Sequence, residues 1–150
     1  MRSITVKLAK MIATEAHEGQ RDKNDKPYIG HPGRVAKYAE ALAEEKGINP
    51  VNAIAVAWLH DVLEDTQVTK KQLSHEFPRE IVKAVEDLTH QQQETLEDYC
   101  ARIKRNELAL LVKKADIQDN TNPERMAGLD EETRLRLTDK YQRMSRLLAV

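Results

Sequence analysis

The chain has 150 residues, 33% charged, 40% hydrophobic and only 4% aromatic, with a net charge of −1. One domain spanning residues 1–150 can bury a sizeable core at this length, and so balanced a charge excludes a global field that would draw the chain to nucleic acid or a membrane surface. Cys100 is the only cysteine, which excludes an internal disulfide and a cysteine-based zinc site and fits a reducing, cytoplasmic setting.

Taken in order, the elements read as helices. Ile4, Leu8, Met11 and Ile12 have helical spacing, and this first helix should stop near Gly19. Residues 19–30 are polar, contain Pro27 and Gly30, and form a loop. His31-Pro32 opens a second helix with Val35, Tyr38, Ala39 and Leu42 on its inner face and Gly47 at its close. Asn49 caps a third that runs from Pro50 to about Leu63. Thr69 caps a short helix containing Leu73, and Pro78 begins another lined by Ile81, Val82, Val85 and Leu88. Thr95 with Asp98 forms a capping box for a helix holding Leu96, Tyr99 and Ile103. Asn106 caps the next, with Leu108, Leu111, Val112 and Ala115 inside. Asp130 caps the last, whose stripe is Leu137, Tyr141, Met144 and Leu148. Period-two alternation is nowhere sustained, so the fold is all-α, a single bundle of about seven to eight helices. No apolar stretch approaches spanning length, and the N-terminus lacks the apolar core of a signal peptide.

Chemistry concentrates at the end of the third helix. After Ile54, Val56, Trp58 and Leu59 come His60, Asp61, Glu64 and Asp65. Charges in an apolar setting are costly unless paired or bound to a metal. Glu64 lies one turn beyond His60 and Asp65 one turn beyond Asp61, which crowds all four at one helix end. An exposed helix terminus would carry the same residues without consequence. Asp116 extends the apolar face of Leu108 and Val112, with Asn120 one turn further; an ordinary salt bridge to Arg34 or a C-terminal arginine would also explain it. His31 sits at a loop-to-helix boundary beside Tyr28, Gly30 and Pro32. Together His31, His60, Asp61 and Asp116 offer two imidazoles and two carboxylates, a set suited to Mn²⁺, Fe²⁺, Zn²⁺ or Mg²⁺. Glu64 is then placed to orient or deprotonate a water, supported by Asp65. Arg21, Lys23 and Lys26 form a basic rim on the loop, although no Gly-rich nucleotide cradle accompanies them. His75 and His90 read as surface or capping residues, and His17 lies beside the loop.

The strings Ala16-His17-Glu18-Gly19-Gln20, Lys23, Pro27-Tyr28-Ile29-Gly30-His31-Pro32, Trp58-Leu59-His60-Asp61-Val62-Leu63-Glu64-Asp65-Thr66, and Val112-Lys113-Lys114-Ala115-Asp116 with Asn120 follow in this order. In this they resemble the HD-domain metal-dependent phosphohydrolases, and among them the small alarmone hydrolases and the hydrolase domain of Rel/Spo proteins. The resemblance implies a single Mn²⁺ held by His31, His60, Asp61 and Asp116, with Glu64 and Asp65 as catalytic acids. It implies substrate contacts from Lys23 and Asn120, to which Arg21 and Tyr28 are added from the loop. The implied reaction removes the 3′-diphosphate of guanosine tetra- or pentaphosphate as pyrophosphate. Two departures stand out: Asp22-Lys23 where the family carries Arg-Lys, and Asp116-Ile117-Gln118-Asp119-Asn120 where it carries Asp-Arg-x-His-Asn. They give the expected substrate shell acidic character, and Asp22 would repel a highly charged nucleotide. Alternatives are another phosphohydrolase of this fold, such as a nucleoside monophosphate phosphatase, or a non-catalytic nucleotide sensor using the basic last helix (Arg134, Arg136, Lys140, Arg143, Arg146). The last stripe is either core or the seam of a homo-oligomer.

Overall fold

The computed structural model describes residues 3–150, and regular structure among them is entirely helical. The helices are α1 (Ile4–Ala16), α2 (Gly30–Lys46), α3 (Pro50–Leu59), α4 (Val62–Asp65), α5 (Lys70–Glu76), α6 (Arg79–Asp87), α7 (Leu96–Lys104), α8 (Glu107–Asn120), α9 (Pro123–Ala127) and α10 (Glu131–Leu148). The caps act where the sequence places them. Asn49 accepts from the N–H groups of Val51 and Asn52, Asn106 from Leu108 and Ala109, and Asp130 from Thr133. Thr69 and Gln72 form a reciprocal capping box, whereas Thr95 accepts from the Asp98 N–H without a return bond. Gly47 ends α2 in the left-handed conformation, at φ 71°, where a Cβ would be strained.

Helix α3 is the axis of the fold. Ala53, Ile54, Ala55, Val56, Ala57 and Leu59 are all buried, because α1, α2, α6 and α8 surround it. Its alanines allow close approach of those neighbours, and Val35, Ala39, Ile81, Val85, Leu111, Val112 and Ala115 fill the spaces between. Helix α10 lies across α7 and closes the bundle with Leu137, Met144 and Leu148 buried.

Three features correct or go beyond the sequence reading. The helical spacing of Ile4, Leu8, Met11 and Ile12 holds, but the buried face of α1 is Val6, Ala9 and Ala13, with Leu8 and Ile12 partly buried against the core and Ile4 and Met11 exposed. The third helix does not run on to Leu63. It stops at Leu59, His60 and Asp61 occupy a turn, and α4 restarts for a single turn. The His60 Nδ1–H donates to the Ala57 carbonyl at 2.6 Å, so the side chain competes with the helical backbone where the helix ends. Helix α9, capped by Asn122 with Pro123 in its first turn, has no counterpart in the expected elements. Setting aside the short α4 and α9, eight longer helices remain among the described residues, in line with the expected seven to eight.

Candidate active site

The break after α3 turns His60 and Asp61 toward the start of α2 and the end of α8. His31 Nε2 lies 2.8 Å from Asp116 Oδ1 and 3.9 Å from Asp61 Oδ2. His60 Nε2 lies 3.1 Å from Asp61 Oδ2 and 3.3 Å from Asp116 Oδ1. Ligand atoms of His31, His60 and Asp116 all fall within 4.8 Å of one another, and all three residues are buried. Residues from three separate helical ends, distant in sequence, thus meet at one point.

The second nitrogen of each imidazole is already engaged. His60 Nδ1 donates to the Ala57 carbonyl, which leaves Nε2 buried with no hydrogen-bond partner and directed at the carboxylates. His31 Nδ1 lies 2.6 Å from Asp119 Oδ2. Such partners fix ring orientation and leave the opposite nitrogen as a metal ligand. The orphaned His60 nitrogen and the two carboxylates therefore fit a divalent cation. Without one, protons satisfy the same electrostatic demand. Burial pulls His31 and His60 down, but Asp116 and Asp119 around His31, and Asp61 and Asp116 around His60, hold both above the ordinary imidazole value. Against the cost of burial, His60 brings Asp61 down to about 2, and Lys113 holds Asp116 well below the usual carboxylate range.

The basic partner of Asp116 is Lys113, one turn earlier on α8, with Nζ 2.8 Å from Oδ2. Neither Arg34 nor a C-terminal arginine takes that place. Arg34 instead donates to Asp119 at 2.7 Å, as does Arg125 through Nη1 at 2.7 Å. Asp119 is fully buried, so it belongs to the support of His31 and not to an acidic substrate shell. Asp22 has a similar inward role. Its Oδ1 accepts from the N–H groups of Asn24 and Lys26, its Oδ2 lies 3.7 Å from Arg125, and its side chain is 6% exposed. It folds its own loop, so the expected repulsion of a charged ligand is replaced by a structural function.

A cavity of about 350 Å³ opens over this centre, lined among others by Arg21, Lys23, Tyr28, Glu64, Asp65 and Asn120. The Tyr28 hydroxyl donates to Asp61 Oδ2, and burial followed by the Asp61 charge pushes its pKa far up, so it stays a donor. Asn120 Nδ2 donates to Asp116 Oδ1 at 3.0 Å. Arg21 turns to the Asp25 carbonyl at 2.9 Å at the loop edge, where Arg21 and Pro27 also form an isolated bridge. Asp65 is pushed up by burial, Asp61 and Glu64. Glu64 Oε1 accepts the backbone N–H of His90 at 2.8 Å. His90 is therefore no ordinary surface residue: its ring stacks on Tyr99 at 4.5 Å, and Nε2 lies 2.9 Å from the Glu94 carbonyl. His17 is buried, with Nδ1 2.7 Å from Gln20 Oε1 and its ring 4.8 Å from that of Tyr28.

Sequence reasoning quoted Lys113 only within a string, put Asp119 in an acidic substrate shell and His90 at the surface, and so missed the partners these three take. Lys113 and Asp119 sit at i−3 and i+3 from Asp116, a spacing that would have placed them beside it. No local signal marks His90.

An all-α bundle whose helix ends bring two buried histidines and a buried aspartate within metal-holding distance defines a class of metal-site proteins. Residues 9–134 match the HD domain family, and the chain belongs to it. Guanosine-3′,5′-bis(diphosphate) 3′-pyrophosphohydrolase of Haemophilus influenzae is 39% identical over 79 residues, covering 53% of this chain and 11% of its own. GTP pyrophosphokinase rsh of Brucella melitensis biotype 1 is 31% identical over 143 residues, 88% of this chain and 18% of its own. The chain thus spans less than a fifth of these two relatives. Among solved structures, a metazoan ortholog of SpoT, described as hydrolysing ppGpp, aligns with a TM-score of 0.76 at 24% identity over 99% of this chain and 85% of that one, a likeness of fold. No helix among the described residues is long and apolar enough to cross a membrane.

Proposed function

We propose that the chain is a metal-dependent nucleotide pyrophosphohydrolase that removes the 3′-diphosphate of (p)ppGpp or a related nucleotide as pyrophosphate. The observation that carries the reading is the orphaned, buried Nε2 of His60 beside Asp61, Asp116 and His31, with Glu64 lining the same cavity. The pyrophosphohydrolase relative supports the substrate class.

His31, His60, Asp61 and Asp116 would hold the ion, with Mn²⁺ the proposed metal. A divalent cation there supplies Lewis acidity toward a phosphoryl oxygen and makes water a competent nucleophile near neutral pH. Asp119 and the Ala57 carbonyl hold the two imidazoles with their Nε2 atoms inward. Glu64 orients the attacking water and takes its proton, and the His90 N–H fixes the carboxylate for that task. Asp65, the second acid lining the cavity beside Glu64, relays a proton to the departing ribose oxygen. Tyr28 keeps Asp61 in place, and Lys23, Arg21 and Asn120 face the phosphates. The protein acts in the cytoplasm on a free nucleotide.

In Glu64→Gln, release of pyrophosphate from ppGpp should vanish while Mn²⁺ binding persists. Full turnover in that variant would remove Glu64 from the mechanism. Orthophosphate released from nucleoside monophosphates by the wild type would favour a phosphatase instead.

A further inference from the structure

The cations around the cavity differ in what they already hold. Arg21 lies 3.8 Å from Asp25, Arg125 2.7 Å from Asp119, and Lys113 2.8 Å from Asp116. Lys23 and Lys140 have no carboxylate within 4.0 Å among the described residues, although both line the cavity. Lys23 belongs to the loop beside the nucleotide-sized lobe. Lys140 comes from α10, more than one hundred residues away.

A second, smaller cavity of about 170 Å³ lies behind Glu64, walled by Leu88, His90, Leu96, Tyr99 and Met144. It shares Asp61, Glu64, Lys113 and Lys140 with the larger one. These four residues form the partition between two lobes. The larger lobe carries the aromatic and apolar side chains Tyr28, Met126, Leu129, Leu137 and Tyr141, which suit a nucleoside. The smaller is too tight for a nucleoside and has two lysines in its lining, of which Lys113 is neutralised by Asp116 and Lys140 is not. Burial first, and then the Lys113 and Lys23 charges, lower the Lys140 pKa against the opposing pull of Asp116 and Glu64.

We propose that Lys140 is the anion-binding residue of this annex and receives the diphosphate group that is cleaved, while the nucleoside stays in the larger lobe. The inference rests on the pyrophosphohydrolase reading and assigns the two products to separate lobes. It makes Lys140 a determinant of diphosphate over monophosphate as the group transferred to water, while the ribose oxygen leaves with the nucleoside, because Lys140 lines both lobes beside Asp61 and Glu64.

Isothermal titration calorimetry on metal-loaded wild type, Lys140→Ala and Lys140→Arg, with inorganic pyrophosphate and with GDP as separate probes, tests this. Loss of one charge-assisted contact should weaken pyrophosphate binding about tenfold in Lys140→Ala, leave GDP unchanged, and be largely restored in Lys140→Arg. Equal weakening of both probes, weakening of GDP alone, or no change overturns the assignment, as does a wild type that does not bind pyrophosphate. Product analysis with ppGpp reports separately on the hydrolytic reading: a wild type that binds pyrophosphate through Lys140 but cleaves no ppGpp would sink that reading and leave the annex standing.

Discussion

Asp119→Asn isolates the support of the metal centre from the centre itself. Asp119 is fully buried and takes three charge-assisted contacts, from His31 Nδ1 at 2.6 Å, Arg34 Nε at 2.7 Å and Arg125 Nη1 at 2.7 Å. Asparagine keeps the shape but offers one acceptor oxygen and an NH₂ group, which must face either His31 or an arginine. Each charge-assisted bond lost or inverted in a buried site costs about 1.5–3 kcal/mol. The fold should therefore lose about 2–4 kcal/mol, since the two arginines are partly exposed and rehydrate in part. Metal affinity should fall by about 10–100-fold, as expected for the outer partner of a ligating histidine, or roughly 1.4–2.7 kcal/mol. Competition between the protein and a fluorescent chelator for Mn²⁺ at neutral pH reads the affinity, and thermal unfolding reads the stability. An Asp119→Asn protein that unfolds earlier yet binds Mn²⁺ like the wild type would show that Asp119 only braces the fold, and the reasoning about His31 orientation would fail.

Further outcomes concern titration, the loop behind Glu64 and the core. In chelator-treated protein the folded His31 and His60 pKa values are raised, so their stabilisation is fully present below the ordinary imidazole pKa and is lost as pH rises through the raised values. The lowered Asp61 and Asp116 values act oppositely: their stabilisation is present above the ordinary carboxylate pKa and lost as pH falls. Melting temperature against pH should accordingly decline on the alkaline side without metal and flatten with Mn²⁺; parallel curves would contradict this. Arg102 binds the Glu86, Asp87 and Thr89 carbonyls and the Glu94 carboxylate, and so pins the segment that presents the His90 N–H to Glu64. Arg102→Ala should lower kcat with little change in Mn²⁺ affinity; an equal fall in both would mean general unfolding. Ile81→Ala, at a fully buried site on α6, should cost about 2–5 kcal/mol in denaturant unfolding, and a loss below about 1 kcal/mol would place Ile81 outside the tightly packed core.

Helix existence was legible because it is encoded locally. Asn49-Pro50, Thr69, Asn106 and Asp130 each satisfy N–H groups two or three residues on, so the boundary is written in the residues that make it. The orientation of α1 was not legible in the same way. Its largest apolar residues include Ile4 and Met11, yet the alanines face α3, because the spacing between two closely packed helices decides which side chains fit. The interruption after Leu59 was hidden for a related reason. Ala53 to Leu63 is a continuous helical pattern, and only the bond from His60 to Ala57 shows why the helix stops where its functional residues begin.

The same division between local and distant causes explains the acidic residues that differ from the family pattern. Read along the chain, Asp22 and Asp119 add negative charge where a polyphosphate is expected. In three dimensions Arg125 reaches both, at 3.7 Å to Asp22 and 2.7 Å to Asp119, and Asp22 has its remaining oxygen on two backbone N–H groups. A carboxylate neutralised by a guanidinium and turned from solvent contributes little field to a neighbouring cavity. The departures therefore exchange one internal scaffold for another: an Asp119–Arg34–Arg125 cluster braces His31, and the same Arg125 ties the 22–26 loop to α9. Lys23 and Lys140, which no carboxylate among the described residues claims, and the exposed Arg21 still line the cavity, and neither Asp22 nor Asp119 neutralises them.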